Sequence, residues 1–513
     1  MIQTLQGYDP YKDTRICDVK IEFEMVDVDA AATAHVTVSD ECAFSQAEQT
    51  HDRIETVSKK YATLERDFWA LDGSFALPTP EDISKQHTGW WSESISDETG
   101  SFIAPPVLAF SWDAPQSSVG LTLYFDNAAG QYPTEFSVFA YDEDGTLLKQ
   151  LDIENSGIRC EFDFPCEDYR FLCIQFRKTH LPYRRVRVCE VIFGLIKRFD
   201  KHSLVNVTLE SSFSPKSESL PTAELTLTID NSTAEWNMAN PKGIYAYLQQ
   251  TMPLDVYFVI DGASVFMGRF FFTQASAEDN ALTAKITAND AVYWLDSVKF
   301  RGGENGMWTL RQAATAVLSA SGQSIPVVMP EEIALREVGR GIEQNTSCRD
   351  ALRFLAQAAG CSCFMNRNGT LVFFDPLMDQ EPVSELNHDR IHAMPKITVG
   401  EEINTVELTV RNEYTQNQTE TVYTATDRRS TDVPQTAEYE NPVVTDGDAV
   451  AAWLLSMEKK RLKYQLTERG DPALDIADTV IIYDGYGGSK TALITDRKYT
   501  FDGGLKCEME AIG

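Results

Sequence analysis

The sequence predicts a mainly β, multidomain chain with small α/β parts, and three observations carry that expectation. Apolar runs are short and alternate with polar residues: Leu225, Leu227 and Ile229 share one face while Thr226 and Thr228 take the other. That is the period of a half-buried strand. Turn dipeptides punctuate the runs, as at Asp144-Gly145, Asp261-Gly262 and Asn368-Gly369, where a residue with positive φ reverses the chain between two strands. With 513 residues the chain exceeds one hydrophobic core, so three or four domains are expected.

Taken in order, residues 1–84 form an N-terminal segment with strand-like runs at 17–23 and 34–38, in which Ile21 and Phe23 alternate with Glu22 and Glu24. Ile54, Val57, Tyr61 and Leu64 then recur three or four apart among charges, which suits an amphipathic linker helix or an ordered linker. At Gly89 the texture changes. Short apolar runs follow at 107–112, 119–125, 136–141, 147–153, 169–176 and 185–193, so residues 85–197 read as a β-sandwich inserted as a separate module.

Long strands return in 198–300. The runs 254–260 and 265–273 flank Asp261-Gly262 as a two-stranded ribbon, and 281–288 supplies another strand. Residues 301–376 mix the classes. Thr309 with Gln312, and Ser347 with Asp350, have capping-box spacing ahead of helical periodicity. Ser321-Gly322 and Gly360 are placed to end those helices. Cys361, Cys363 and Met365 alternate as a strand, Asn368-Gly369 turns the chain, and 371–374 returns as the second strand of a hairpin. In 377–513 a strand at 403–410, a polar segment at 412–424, a loop at 426–442 and a helix from Asp446 to about residue 460 precede further strands. Arg469-Gly470-Asp471 is expected to be a turn before a strand, not an adhesion motif.

Composition excludes several functions. Forty-five basic against 77 acidic residues give a net charge of −32, which phosphate backbones repel, so nucleic-acid binding is not expected. No stretch approaches the about 20 apolar residues of a spanning helix, and no signal-peptide pattern opens the chain. The ten cysteines lack framework or C-x-x-C spacing, and buried thiols in a reducing compartment are expected, with no metal site and no cofactor. G-x-S-x-G, H-E-x-x-H and Walker-type loops are absent, and the chain ends soon after its final strand with no room for an appended hydrolase. A non-enzyme is therefore expected.

Several phrases resemble one family. S-C-R-D-A-L-R-F-L-A-Q-A-A-G at 347–360, followed by N-G-T-L and D-P, resembles the tail hub proteins of bacteriophages and prophages, the baseplate-hub or tail-associated family. So do K-Y-A-T-L-E at 60–65 with W-A-L-D-G-S at 69–74, L-T-I-D-N through I-T-A-N-D-A across 227–291, and R-G-D-P-A-L with F-D-G-G-L across 469–505. The resemblance implies two tube-like β-barrel hub domains, 198–300 and 377–513, around a small α/β domain, 301–376. It also implies a homotrimer at the virion tail tip, made in the bacterial host cytoplasm. Such a trimer closes the tail tube below a distal tail ring protein, contacts a tape-measure protein and lets DNA pass through its lumen.

The order of strands in 85–197 is similar to a discoidin or galactose-binding jelly roll, and modules of that kind often bind sugars at loops on one end. The loop aromatics this resemblance nominates for a host cell-wall glycan are Trp90, Trp91, Tyr132 and Tyr183, with Arg184 as polar partner. A paired Trp beside Gly equally suits a core, and Pro182-Tyr183-Arg184-Arg185 equally suits a turn. Asp97 and Glu98 could help hold calcium. The alternatives to a hub are a carbohydrate-binding adhesin headed by this module, or a wall-degrading tail enzyme.

Overall fold

The computed structural model describes residues 14–57, 59–77, 86–237, 240, 244, 248–277, 282–302, 306–343, 345–378, 380–412, 419–428, 433, 435–483 and 485–513. Two compact units emerge: one of Phe23–Lys197 with Ile244–Met252, the other of Met1–Glu22, Arg198–Gly243 and Pro253–Gly513.

The first unit is built on strand alternation. In β1 (Cys17–Val26), which runs into it, Val19, Ile21, Phe23 and Met25 are all buried. After the short α1 (Val28–Thr33), capped by the Asp27 carboxylate on the Ala30 amide, comes β2 (His35–Val38). A linker helix does not follow. Ala47–His51 makes a short 3-10 turn, and beyond it Tyr61, Thr63 and Glu65 are buried while Leu64 is exposed. That period of two belongs to extended chain, so the ordered-linker alternative holds and Leu64, counted as core by helical spacing, faces water.

The sandwich comprises β3 (Trp90–Trp91), β4 (Val107–Phe125), β5 (Pro133–Tyr141), β6 (Leu147–Glu154), β7 (Arg159–Thr179) and β8 (Arg187–Ile192), in the order β3-β8-β4-β7-β5-β6 with β2 on β4. Two expected strands, 107–112 and 119–125, are one. Register shifts between Ser111 and Gly120 against β7 let β4 bend and continue, as bulges do where a strand passes from one sheet layer to the other. Its core holds Trp90, Phe110, Phe125, Phe136, Phe164, Leu172 and Phe176. The chain leaves through β9 (Gly194–Phe199).

In the second unit, β10 (Leu204–Ser212), β11 (Glu224–Asp230), β12 (Pro253–Ile260), β13 (Ala263–Ser276) and β14 (Thr283–Asn289) are antiparallel neighbours in the order β10-β11-β14-β13-β12. The mixed segment then interposes β15 (Met307–Thr309), α2 (Leu310–Ser321), β16 (Val327–Val328), α3 (Glu331–Ala334), β17 (Glu337–Gly339), α4 (Cys348–Ala358), β18 (Ser362–Met365) and β19 (Leu371–Phe374). Both capped helices form as expected. Thr309 and Gln312 make the reciprocal box, and the Ser347 hydroxyl accepts from the Asp350 amide. Gly360 lies at φ +60, the left-handed conformation that closes a helix without a Cβ clash. Helices and hairpin share a core of Leu310, Val317, Leu352, Leu355, Cys361, Cys363 and Phe373.

After β20 (Ser384–Leu386) and β21 (Lys396–Val399) come β22 (Thr405–Asn412), β23 (Thr419–Thr426) and β24 (Thr436–Glu440), a separate three-stranded sheet. On it lies α5 (Gly447–Glu458), capped by Asp446 and packed through Leu454 against Val406 and Leu408. Residues 413–418 of the polar segment, and 429–432 and 434 of the loop, lie outside the described residues. The chain finishes with β25 (Leu462–Glu468), β26 (Thr479–Tyr483), β27 (Ser489–Phe501) and β28 (Leu505–Ile512).

Two tube-like barrels are not what these strands form. β10 pairs antiparallel with β27, Val207 opposite Phe501 through Ser212 opposite Asp496. The two expected barrel domains are thus halves of one continuous sheet, and its path among the described strands stays open from β21 onward. The fold is mainly β with small α/β parts, as the alternation predicted. Arg469-Gly470-Asp471 is a turn, but one that directly follows β25 instead of leading straight into a strand, β26 starting only at Thr479: Gly470 has φ +83, and the buried Asp471 gives its amide to the Glu468 carboxylate.

Candidate functional site

At one end of the sandwich the sequence T-G-W-W (88–91) feeds β3. Gly89 has φ +67, and a Cβ there would stand 2.2 Å from the Val188 carbonyl oxygen. Close approach to β8 therefore requires glycine, and the two rings that follow enter different clusters, Trp90 the main core and Trp91 a smaller one with Cys42 and Tyr61. Trp90 lies in the main core, 5.7 Å from the Phe176 ring, with its Nε1 donating to the Asp40 carbonyl at 2.9 Å. Trp91 is equally buried and donates to the Thr88 carbonyl. Neither exposes a face, so their nomination as sugar-stacking platforms is corrected: both fill the interior, as a Trp pair after Gly also allows.

The other three nominated residues lie on neighbouring loops. Tyr132 stacks on His180, centroids 4.2 Å apart and planes within 14°. Tyr183, at φ +57, donates its amide to the Asp97 carbonyl, and the Arg66 guanidinium lies 5.0 Å from its ring. Arg184 is buried. Its Nη1 donates to the Arg66 carbonyl at 2.7 Å and its Nη2 to that of Asp67 at 3.2 Å.

The centre of this end is a residue that sequence reasoning did not single out. Arg187 is 1% exposed, donates to Asp126 at 2.7 Å and to Glu65, and lies 4.3 Å and 4.2 Å from the ring centroids of Phe68 and Trp91. Glu65 also receives the Arg185 amide at 2.9 Å and the Thr63 hydroxyl. Charge at this depth is tolerated because each carboxylate has fixed donors and the guanidinium has rings to lie on. Alternation of Arg185 and Arg187 beside an expected strand was the available signal. Glu65 gave none, because it stands 122 positions from Arg187 and no local pattern spans that separation.

Cation-binding candidates separate in the same way. Asp97 is held by its own loop, accepting from the Thr99 amide and hydroxyl and the Ser101 amide. The Thr99 hydroxyl and these amides hold its carboxyl below the usual carboxylate range. Elsewhere on the unit, Asp52, His87 and Glu190 bring one ligand atom each within 4.8 Å of one another. His87 Nε2 is 3.1 Å from Asp52, and burial pushes the Glu190 carboxyl up to about 8. Mixed nitrogen and oxygen donors of this kind suit a divalent cation.

No family model and no curated protein matches the chain. Among solved structures it is similar to a tail protein from Neisseria meningitidis MC58, at 14% identity over 62% of this chain and 93% of that one, TM-score 0.44. It is similar also to the 43 kDa tail protein of prophage MuSo2 from Shewanella oneidensis, at 16% identity over 62% and 95%, TM-score 0.42. A family 32 carbohydrate-binding module of C. perfringens NanJ, solved in complex with galactose, aligns at 10% identity over 35% of this chain and 99% of its own, TM-score 0.22.

Proposed function

We propose that this protein is a structural, non-enzymatic hub of a phage tail tip, a homotrimer whose second unit forms the ring and whose sandwich contacts host cell-wall glycan. The observation that carries the ring is the edge of the large sheet. In β21 all four side chains, Lys396 to Val399, are exposed, Ile397 and Val399 among them, and Met394 beside them is half exposed. A terminal strand bare on both faces invites pairing unless charge or a bulge blunts it. A neighbouring copy supplies the missing cover, and a head-to-tail contact that closes gives a ring. Three of the hub-like phrases support the same reading by falling on or between regular elements, 347–360 around α4, 227–230 on β11 and 501–505 at the β27–β28 turn, while those at 60–65 and 69–74 fall on a loop.

In that role the ring sits under a distal tail ring protein, meets a tape-measure protein inside, and passes DNA along a wall too acidic to hold it. Mass photometry of the purified chain, alone and with its tail partners, tests the proposal. A trimer is expected, and Ile397→Lys with Val399→Lys should shift it toward monomer. A strictly monomeric particle, both alone and in the mixture, overturns it. Glycan contact is tested separately on a glycan array, with Tyr132→Ala expected to weaken binding.

A further inference from the structure

Residues 60–76 form a loop whose ends are tied together: the Ala62 amide donates to the Ala76 carbonyl at 2.9 Å, and the Ala76 amide to that of Lys60 at 2.8 Å. Loops closed at the neck in this way are compact units packed by their own side chains. Its inner face presents two side chains to the sandwich. Glu65 gives its carboxylate to Arg187, and Phe68 places its ring 4.3 Å from the Arg187 guanidinium and 5.2 Å from that of Arg184. Its outer face leaves Leu64 and Leu71 94% exposed.

Beneath the loop the donors exceed the acceptors. Arg184, Arg185 and Arg187 are each more than nine-tenths buried, and the Nε of all three has no acceptor among the described residues. Against these three cations stand two buried carboxylates among the described residues beside them, Glu65 and Asp126. Glu93, which reaches Arg185 at 3.2 Å, is mostly in water. Burial and the neighbouring Arg187 charge both press the Arg184 guanidinium below its ordinary value. A buried N–H without a partner forfeits its hydration and gains nothing in return; eight arginine Nε atoms among the described residues are left so, and three of them belong to the one short run 184–187, which marks it as short of oxygens. In a chain of net charge −32, a buried excess of positive charge is also the reverse of the general trend.

We propose that this loop is a lid over a binding pocket for an acidic saccharide, and that Glu65 and Phe68 occupy it as a built-in stand-in for that ligand. The sugar carboxylate takes the place of Glu65 on the Arg187 fork, for which bidentate guanidinium geometry is suited. The flat face of the pyranose replaces Phe68 beside Arg184 and Arg187, and ring hydroxyls reach the unmet Nε donors. Because the lid must leave first, the intact chain binds with its affinity reduced by the fraction of time the pocket is open. This rests on the glycan half of the proposed function and is independent of ring assembly.

The test uses the full chain in three forms: intact, with residues 63–75 replaced by a short Gly-Ser linker, and carrying Glu65→Gln with Phe68→Ala. Calorimetry with N-acetylneuraminic acid, galacturonic acid, galactose and glycerol 3-phosphate reads the pocket directly. The linker variant is expected to bind at least one of the two sugar acids roughly tenfold more tightly than the intact chain does, with galactose and glycerol 3-phosphate weaker. Arg184→Ala in that background should abolish the gain. If the linker variant loses the native thermal transition, the double substitution, which keeps the chain intact, gives the same reading with a smaller gain. A folded lid variant that binds neither sugar acid overturns the proposal. Equal binding of galactose removes the acid from it, and equal binding of glycerol 3-phosphate removes the ring, and either result also overturns it. Trimer formation unchanged in all three forms shows that failure here leaves the hub reading standing.

Discussion

A charge taken out of water needs partners of fixed geometry, and Arg497 in the second unit meets that need through its two Nη atoms, while its Nε has no acceptor among the described residues. It is almost fully buried, pairs with Glu468, donates to the carbonyls of Asp471 at 3.1 Å and Leu474 at 2.5 Å, and lies 4.5 Å from the Tyr499 ring centroid. Burial pushes the Glu468 carboxyl up and the arginine pulls it back, leaving it raised on balance. Replacing Arg497 by leucine strands that carboxylate, and urea denaturation should find about 3–5 kcal/mol lost. Converting Glu468 to leucine as well should return much of it, since an apolar pair leaves no charge unpaired. A second buried acid sets a pH dependence. Asp290 accepts from the amides of Ala223 and Val292, yet burial raises its carboxyl to about 7 from the ordinary 3.8. Between those values the folded state holds a proton that the unfolded state has released, so stability falls as pH rises from about 4 to 7 and is level above. Asp290→Asn should flatten that slope in thermal scans taken across the interval.

Helices, turns and hairpins were the most legible level, because their signals are local. The phrase from Ser347 to Phe374 encodes cap, periodicity, left-handed stop, hairpin strand and turn in one short run, and each appears where the residues put it. Thr309→Ala removes a hydroxyl that accepts the Gln312 amide and should cost about 1 kcal/mol in chemical denaturation. Gly360→Ala forces a Cβ into φ +60, with Trp453 side-chain atoms 3.6 Å away, and should cost about 1–2 kcal/mol. Sequence periodicity left two readings open for the segment after Thr50, and the helical one failed. Spacing of three or four among charges is the mark of an amphipathic helix only if one stripe is buried, and here Tyr61, Thr63 and Glu65 turn inward because Arg187 and Trp91 receive them. Arg187 lies 122 positions from Glu65, beyond the reach of any local pattern. The Trp pair failed as a sugar platform for a related reason: residue type was read correctly, but distant residues cover both faces of the short strand, Phe176 beside Trp90 and Tyr61 beside Trp91. Barrel closure likewise depends on which strands become neighbours, and the β10–β27 pairing joins Val207 to Phe501, far apart in the chain.

At the scale of the whole molecule, charge and edge act against each other. A chain of net charge −32 repels its own copies, while in the proposed trimer the bare β21 edge with its exposed Ile397 and Val399 is what draws them together. Apolar contact acts only over touching surfaces, whereas the repulsion extends about a Debye length, roughly 10 Å at 0.1 M salt and 3 Å at 1 M. Raising ionic strength therefore shortens the opposing term and leaves the attractive one, or strengthens it. The proposed trimer should accordingly form more completely at about 0.5 M than at about 0.05 M sodium chloride, the opposite of an assembly held by ion pairs. Mass photometry at fixed protein concentration across that range checks the direction. Charge screening predicts that the Ile397→Lys, Val399→Lys variant stays monomeric even at high salt, because its deficit is lost contact and not repulsion. A trimer that dissolves as salt rises would transfer the interface from this edge to the charged surface and take the edge-pairing account with it.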